Sequence, residues 1–261
     1  ASGSMEGGVL HYEKEVPVLE NGTWTKKSYY YLMCSFGALS AAYNMRCARS
    51  ERPEGPYLDV NGNPVVCSTD IGTGNKMLGS FRWEKDPVDY FCPGHNDMFT
   101  TSRGVRLISY HCRTNYFIEK KLSRSNNFHY LYLSQYDFNS DGWPVMNANR
   151  YAGEEIQDVN EDELLNITAG KFEAVLFQQG VEPLTAKRVV LHKDGSMDGA
   201  WKGSWKMYGA RYIAIETQGD EYLGVVMPAW IDHQNTAGLT VTAMGRRSGM
   251  ALIMDSTNRI E

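Results

Sequence analysis

At 261 residues the chain can bury one large core or two of ordinary size. Its formal charge of -5, with basic residues scattered rather than clustered, argues against a nucleic-acid partner and an anionic membrane partner. No apolar run approaches the length of a membrane span, and 25 Gly with 12% aromatics tilt the composition towards strands and turns.

Taken in order, residues 8–12 and 15–19 read as short strands. A turn at Asn21-Gly22 follows, then a very aromatic strand at 28–35. Residues 36–42 form a small-residue loop, and 43–49 alternate like a sheet strand before Pro and Gly interrupt them. Another short strand is expected at 65–67 and an aromatic loop at 81–93. The run Pro93-Gly-His-Asn-Asp-Met-Phe99 then reads as a polar turn feeding a strand at 105–110. It is either a metal or substrate site, or a turn in which His95 and Asp97 tie down backbone amides. Residues 113–127 are polar, and strands at 129–134 and 143–145 bracket a turn at 139–142. Short strands about every ten residues, with almost no helical period, exclude a doubly wound α/β fold and predict an all-β propeller, sandwich or barrel.

An acidic, poorly patterned stretch marks a boundary. It divides the chain into a unit at 1–155, a linker at 156–169 and a second all-β unit at 170–261. About eight strands in the last ninety residues make that unit a closed barrel or a sandwich. Its aromatics Trp201, Trp205, Tyr212 and Trp230 read as core or domain-interface residues rather than a sugar platform. The five cysteines have no metal-binding spacing and read as free structural thiols.

No phosphate loop, zinc-protease helix or nucleophile elbow is present. What remains is carboxylates among aromatics: Glu15 before Val16-Pro17-Val18, Asp97 beside His95, and Glu84 with Asp86 and Asp89. Burial of Glu15 among its apolar neighbours would suit it to act as an acid, although most Glu residues at strand starts are solvated.

Six motifs in order, Gly3-Ser-Met-Glu-Gly-Gly8, Glu15-Val-Pro17, Tyr29-Tyr-Tyr-Leu32, Tyr43-Asn-Met-Arg-Cys-Ala-Arg-Ser50, Gly55-Pro-Tyr-Leu-Asp59 and Pro93 to Phe99, together resemble the family 43 glycoside hydrolases. They are most similar to the endo-acting α-1,5-L-arabinanases. The resemblance implies a five-bladed β-propeller, of which this chain supplies the later blades, followed by a small β-barrel or sandwich domain. It implies inverting hydrolysis of arabinan, with Glu15 as general acid and His95 helping to hold a divalent cation, calcium by the family's habit. Asn96 and Asp97 would orient the turn. The general-base Asp and the Asp that tunes the acid should lie upstream, yet no Asp precedes Asp59. A partner is therefore expected: an N-terminal fragment of the same precursor, released by cleavage before Ala1, carrying the early blades and both Asp residues. The substrate class implied is plant polysaccharide and the location secreted or periplasmic. Two alternatives stay open: an arabinoxylan- or xylo-oligosaccharide-active enzyme of the same family, and a non-catalytic carbohydrate-binding β module.

Overall fold

The computed structural model describes residues 5–39, 43–66, 73–84, 90–113, 129–180 and 183–257. Cys67, Asp86, Asp89 and most of the polar stretch 113–127 lie outside the described residues. Strands β1 (Met5–Glu20), β2 (Thr23–Phe36), β3 (Asn44–Ser50) and β4 (Asn75–Leu78) form an antiparallel sheet in chain order. A second four-stranded sheet repeats that order with β6 (Phe91–Thr100), β7 (Arg106–Arg113), β8 (His129–Phe138) and β9 (Pro144–Met146). Between them in sequence, β5 (Phe81–Arg82) pairs in parallel with β11 (Leu184–Thr185) and ties the front half to the back half.

The back half is a closed eight-stranded barrel. It consists of β10 (Gly170–Leu176), β12 (Lys187–Leu191), β13 (Ser196–Gly199), β14 (Gly203–Tyr208), β15 (Tyr212–Thr217), β16 (Asp220–Ile231), β17 (Thr236–Gly245) and β18 (Ala251–Ser256), with β18 returning to β10. Closure removes the sheet edges that would otherwise invite pairing.

The two expected strands at 8–12 and 15–19 are one strand of sixteen residues, folded onto β2 through Asn21 and Gly22. Both turn residues are left-handed, with φ of 50° and 78°, as a tight hairpin turn compatible with strand twist requires. Buried Tyr29, Tyr31 and Met33 alternate on β2 with half-exposed Tyr30 and Leu32, so one face of this sheet packs inwards. Likewise the motif at Pro93 to Phe99 is not a turn ahead of a strand. It lies inside β6, and the ladder bends around it.

The barrel strands β16, β17 and β18 are buried on both faces because both are covered, whereas β14 alternates buried Trp205 and Met207 with exposed Ser204 and Lys206. On β16, Val226 joins the barrel's interior core while Val225 and Met227 join the core beneath the front sheets; Leu252 and Met254 face inwards on β18 while Ile253 faces the front half. Part of the expected linker is ordered as a helix, α1 (Glu161–Thr168). Asn160 caps it by accepting the Glu163 N–H at 2.9 Å, and three acidic residues in the first turn suit the helix dipole. Leu164 anchors it in the barrel core. The apolar signal amounts to one buried leucine among acids, too weak a stripe to read as a helix in sequence. Cys34, Cys47, Cys92 and Cys112 are buried free thiols. Burial pushes Cys34 and Cys47 up to about 12, so they act as small hydrophobes.

One buried carboxylate joins the two sheets to the barrel. Asp137 on β8 accepts from Arg106 of β7 at 3.0 Å on one oxygen and from Arg211, beside the barrel strand β15, at 2.9 Å on the other. Arg106 reaches on to Glu13 of β1 at 3.1 Å, and Arg211 also pairs with Asp158. Removing the central anion leaves two guanidinium groups facing each other, and both are about a quarter exposed, which moderates the cost. Asp137→Ala should destabilise the protein by about 2–4 kcal/mol, measured as a lowered urea midpoint by tryptophan fluorescence. An unchanged midpoint would show that the three units hold together without it.

Candidate active site

The site is built where ladders break. Strands β1 and β6 each carry two one-residue bulges, and each bulge holds a left-handed residue: Gly7 (φ 61°) and Glu15 (φ 55°) on β1, Cys92 (φ 53°) and His95 (φ 47°) on β6. The Gly7 and His95 bulges meet. A Cβ on Gly7 would stand 2.6 Å from His95 Cδ2, and one on Gly94 would stand 2.0 Å from the Tyr43 ring. Only glycine permits these approaches.

The resulting corner joins both sheets. His95 N–H donates to Ser35 Oγ at 2.8 Å. Tyr43, just ahead of β3, donates its hydroxyl to Glu6 Oε1 at 2.7 Å and lies 3.2 Å from His95 Nδ1. Burial, reinforced by Glu6, pushes the Tyr43 hydroxyl well above its ordinary range, so it stays protonated and donates. Its ring stacks against His111 at 5.6 Å, His111 lies 5.5 Å from His95, and His129 lies 4.8 Å beyond. Burial, then the neighbouring His129 and His95, lower His111 to about 4.

Of the residues singled out in sequence, the structure brings His95 into this corner and leaves Glu15 out. Glu15 lies nine residues beyond Glu6 on β1, roughly 25–30 Å along an extended strand. Its side chain is 72% exposed and pairs with Lys26 at 3.2 Å, so the expected burial among Val16, Pro17 and Val18 does not occur. The bulge turns Val16 and Val18 into the core and Glu15 outwards. Asn96 is fully buried, with no hydrogen-bond partner for its amide among the described residues. Asp97 is exposed, and its carbonyl accepts weakly from Ser109. Glu84 binds Arg188 of the barrel, away from the corner. Glu6, Tyr43, His111 and His129 were not singled out. A signal for Glu6 was present: a carboxylate followed by Gly7-Gly8, the residues that allow close approach.

A cation at His95 meets a nitrogen-rich set of donors here: three imidazoles, one phenol and one carboxylate. Calcium takes six to eight oxygens, so these residues do not form a calcium shell. Among the described residues no group of three or more His, Cys, Asp or Glu is placed to hold a metal. A separate cavity of about 780 Å³ lies at the other end of β1, between Glu20, Arg49, Trp143 and Arg246, and takes no part in the corner.

Two four-stranded sheets sharing a carboxylate-tyrosine-histidine corner, backed by a closed barrel, define an all-β protein. Residues 11–144 match the model of the glycosyl hydrolases family 43, and residues 148–254 match a C-terminal lipocalin-like domain of that family. The chain belongs to family 43. It is 30% identical to an extracellular endo-α-(1→5)-L-arabinanase of Bacillus subtilis, over 77% of this chain and 45% of that one. It is 31% identical to an extracellular endo-α-(1→5)-L-arabinanase of Thermotoga petrophila, over 87% and 47%. A solved endo-1,5-α-L-arabinanase from Thermotoga petrophila superposes with a TM-score of 0.79 at 26% identity, covering 98% of this chain and 56% of that one. The chain spans about half the length of the curated relatives it matches. The family match begins five residues after Glu6, so the case for Glu6 is geometric.

Between about pH 6.5 and 4 the unfolded chain protonates His111 and the folded chain does not, so acidification through that window favours unfolding. His111→Gln removes this contribution. The wild-type urea midpoint should therefore fall more steeply than that of the variant as pH drops from 6.5 to 4, and parallel curves would count against a neutral, half-buried His111.

Proposed function

We propose that this chain carries the acid side of a glycoside hydrolase that cuts α-1,5-linked arabinan with inversion, and that Glu6 rather than Glu15 is the acid. One observation carries the assignment: among the described residues, Glu6 is the carboxylate hydrogen-bonded into the Tyr43–His95 corner. Cleavage needs one carboxylic acid to protonate the leaving oxygen, and a second carboxylate roughly 6.5–9.5 Å away to activate water. The Tyr43 bond fixes one oxygen of Glu6 and leaves the other to meet the leaving group. His95, within reach of the same hydroxyl, holds Tyr43 in place. Arabinan as substrate is supported by the names of the relatives, which are endo-acting arabinanases.

We place the water-activating carboxylate, and a further Asp that tunes the acid, on an N-terminal part of a five-bladed propeller. That part is either a separate chain of the same precursor or continuous with this one. Two facts support the placement. The relatives run about twice the matched span. On the first sheet Leu10 and Tyr12, 50% and 44% exposed, stand opposite Leu32 and Tyr30 and present an apolar face that another blade would cover. Export is proposed because both relatives are named extracellular.

In the assembly that hydrolyses linear arabinan, Glu6→Gln should lower kcat by about 10²–10⁴, while Glu15→Gln should stay within about twofold of wild type. Reducing-sugar release measures both. The reverse pattern would return the acid to Glu15.

A further inference from the structure

Three adjacent strands of the second sheet each place one imidazole at the same end: His95 on β6, His111 on β7 and His129 on β8. The ladder sets Leu131 opposite His111 and His129 opposite Arg113, so His111 and His129 are diagonal neighbours on one face. Rings of this size span such a diagonal. Their Nδ1 atoms stand 3.3 Å apart. Two nitrogens each bound at 2.0–2.1 Å to a tetrahedral ion lie about 3.3–3.4 Å from one another, so the pair already has the bite of a zinc-type site.

We infer that His111 and His129 form a two-imidazole site for a borderline divalent transition ion such as zinc, at the solvent-facing edge of the Glu6–Tyr43–His95 corner. The class of ion follows from the donors. Imidazole nitrogen suits zinc, copper and nickel, whereas calcium seeks an oxygen shell that these side chains do not supply. Access follows from His129, which is exposed. Burial first, with the neighbouring imidazoles and Arg113 after it, lowers both rings, His111 to about 4, which keeps them in the neutral form that ligates. Water completes the coordination. Because His111 stacks on Tyr43, an ion held by the pair rests one ring away from the hydroxyl that binds Glu6.

The same 3.3 Å also suits one protonated Nδ1 donating to the other, and the two accounts part in a titration. Zinc chloride titrated calorimetrically into the chain should fill one site. Either His111→Gln or His129→Gln should weaken that site by about tenfold or more, given that even the loss of a group supporting a ligand costs as much. His192→Gln, whose imidazole is bound to Asp198 on the barrel, should leave it unchanged. His129 is exposed, so its variant folds whatever becomes of His111. No zinc uptake by the wild type, equal uptake by His129→Gln, or displacement of zinc by millimolar calcium would each overturn the inference. The titration reads binding without turnover, so its outcome is separable from that of the arabinan reading.

Discussion

The carboxylate of Asp137 is where the two sheets and the barrel meet. It is buried, a guanidinium sits on each of its oxygens, and it also accepts the Phe138 N–H at 2.9 Å. A charge withdrawn from water is tolerable only when so fully partnered, and the partners here belong to different units of the fold. Through Arg106 the network reaches Glu13, the last paired residue of β1 before the Glu15 bulge. Burial works against a charged Glu13, but the bond from His11 and the Arg106 guanidinium overcome it and hold this carboxyl below its ordinary range. Pinned at Glu13, β1 has one register, and that register sets where Glu6 falls.

The sequence shows most of the barrel because its strands are separated by clear turns and carry aromatic and β-branched residues. The eight strands expected there close into one sheet. It also shows the β1–β2 hairpin through Asn21-Gly22. It hides the length of β1, and the reason is countable. The residues of β1 on the face towards the second sheet are Glu6, Val9, His11, Glu13, Val16 and Val18, because their ladder partners fall two apart on β2. Two steps of three interrupt the steps of two. A reader looking for strict alternation breaks the strand where the chain only inserts a residue. The helix at Glu161–Thr168 is hidden differently, by having one core residue where a stripe is expected.

Glu15 and Glu6 show why the site was harder to read than the fold. Both precede small or apolar residues at the start of a strand-like run, and local composition does not rank them. Glu15 sits in a bulge whose left-handed residue is not glycine, so nothing in the sequence marks it as displaced. Three of the four bulges share this property, with Glu15, Cys92 and His95 in place of glycine. A left-handed non-glycine residue costs on the order of 1 kcal/mol, and surrounding structure must hold it there. At His95 that structure is visible: Ser35 holds its N–H and Tyr43 meets its ring nitrogen.

The bulge at Gly7 matters most for chemistry. In an unbulged β1, the residue three before Val9 would point to the face of Leu10 and Tyr12, away from the second sheet. The inserted residue swings Glu6 to the opposite face, where Tyr43 reaches it. The bulge at His95 does the reciprocal work on β6, and the Gly7 backbone fits against the imidazole because Gly7 carries no Cβ to stand between them. The stable part of the molecule, anchored at Asp137, fixes both strands, and two compensating interruptions at one level of those strands turn a carboxylate, a phenol and an imidazole towards one another.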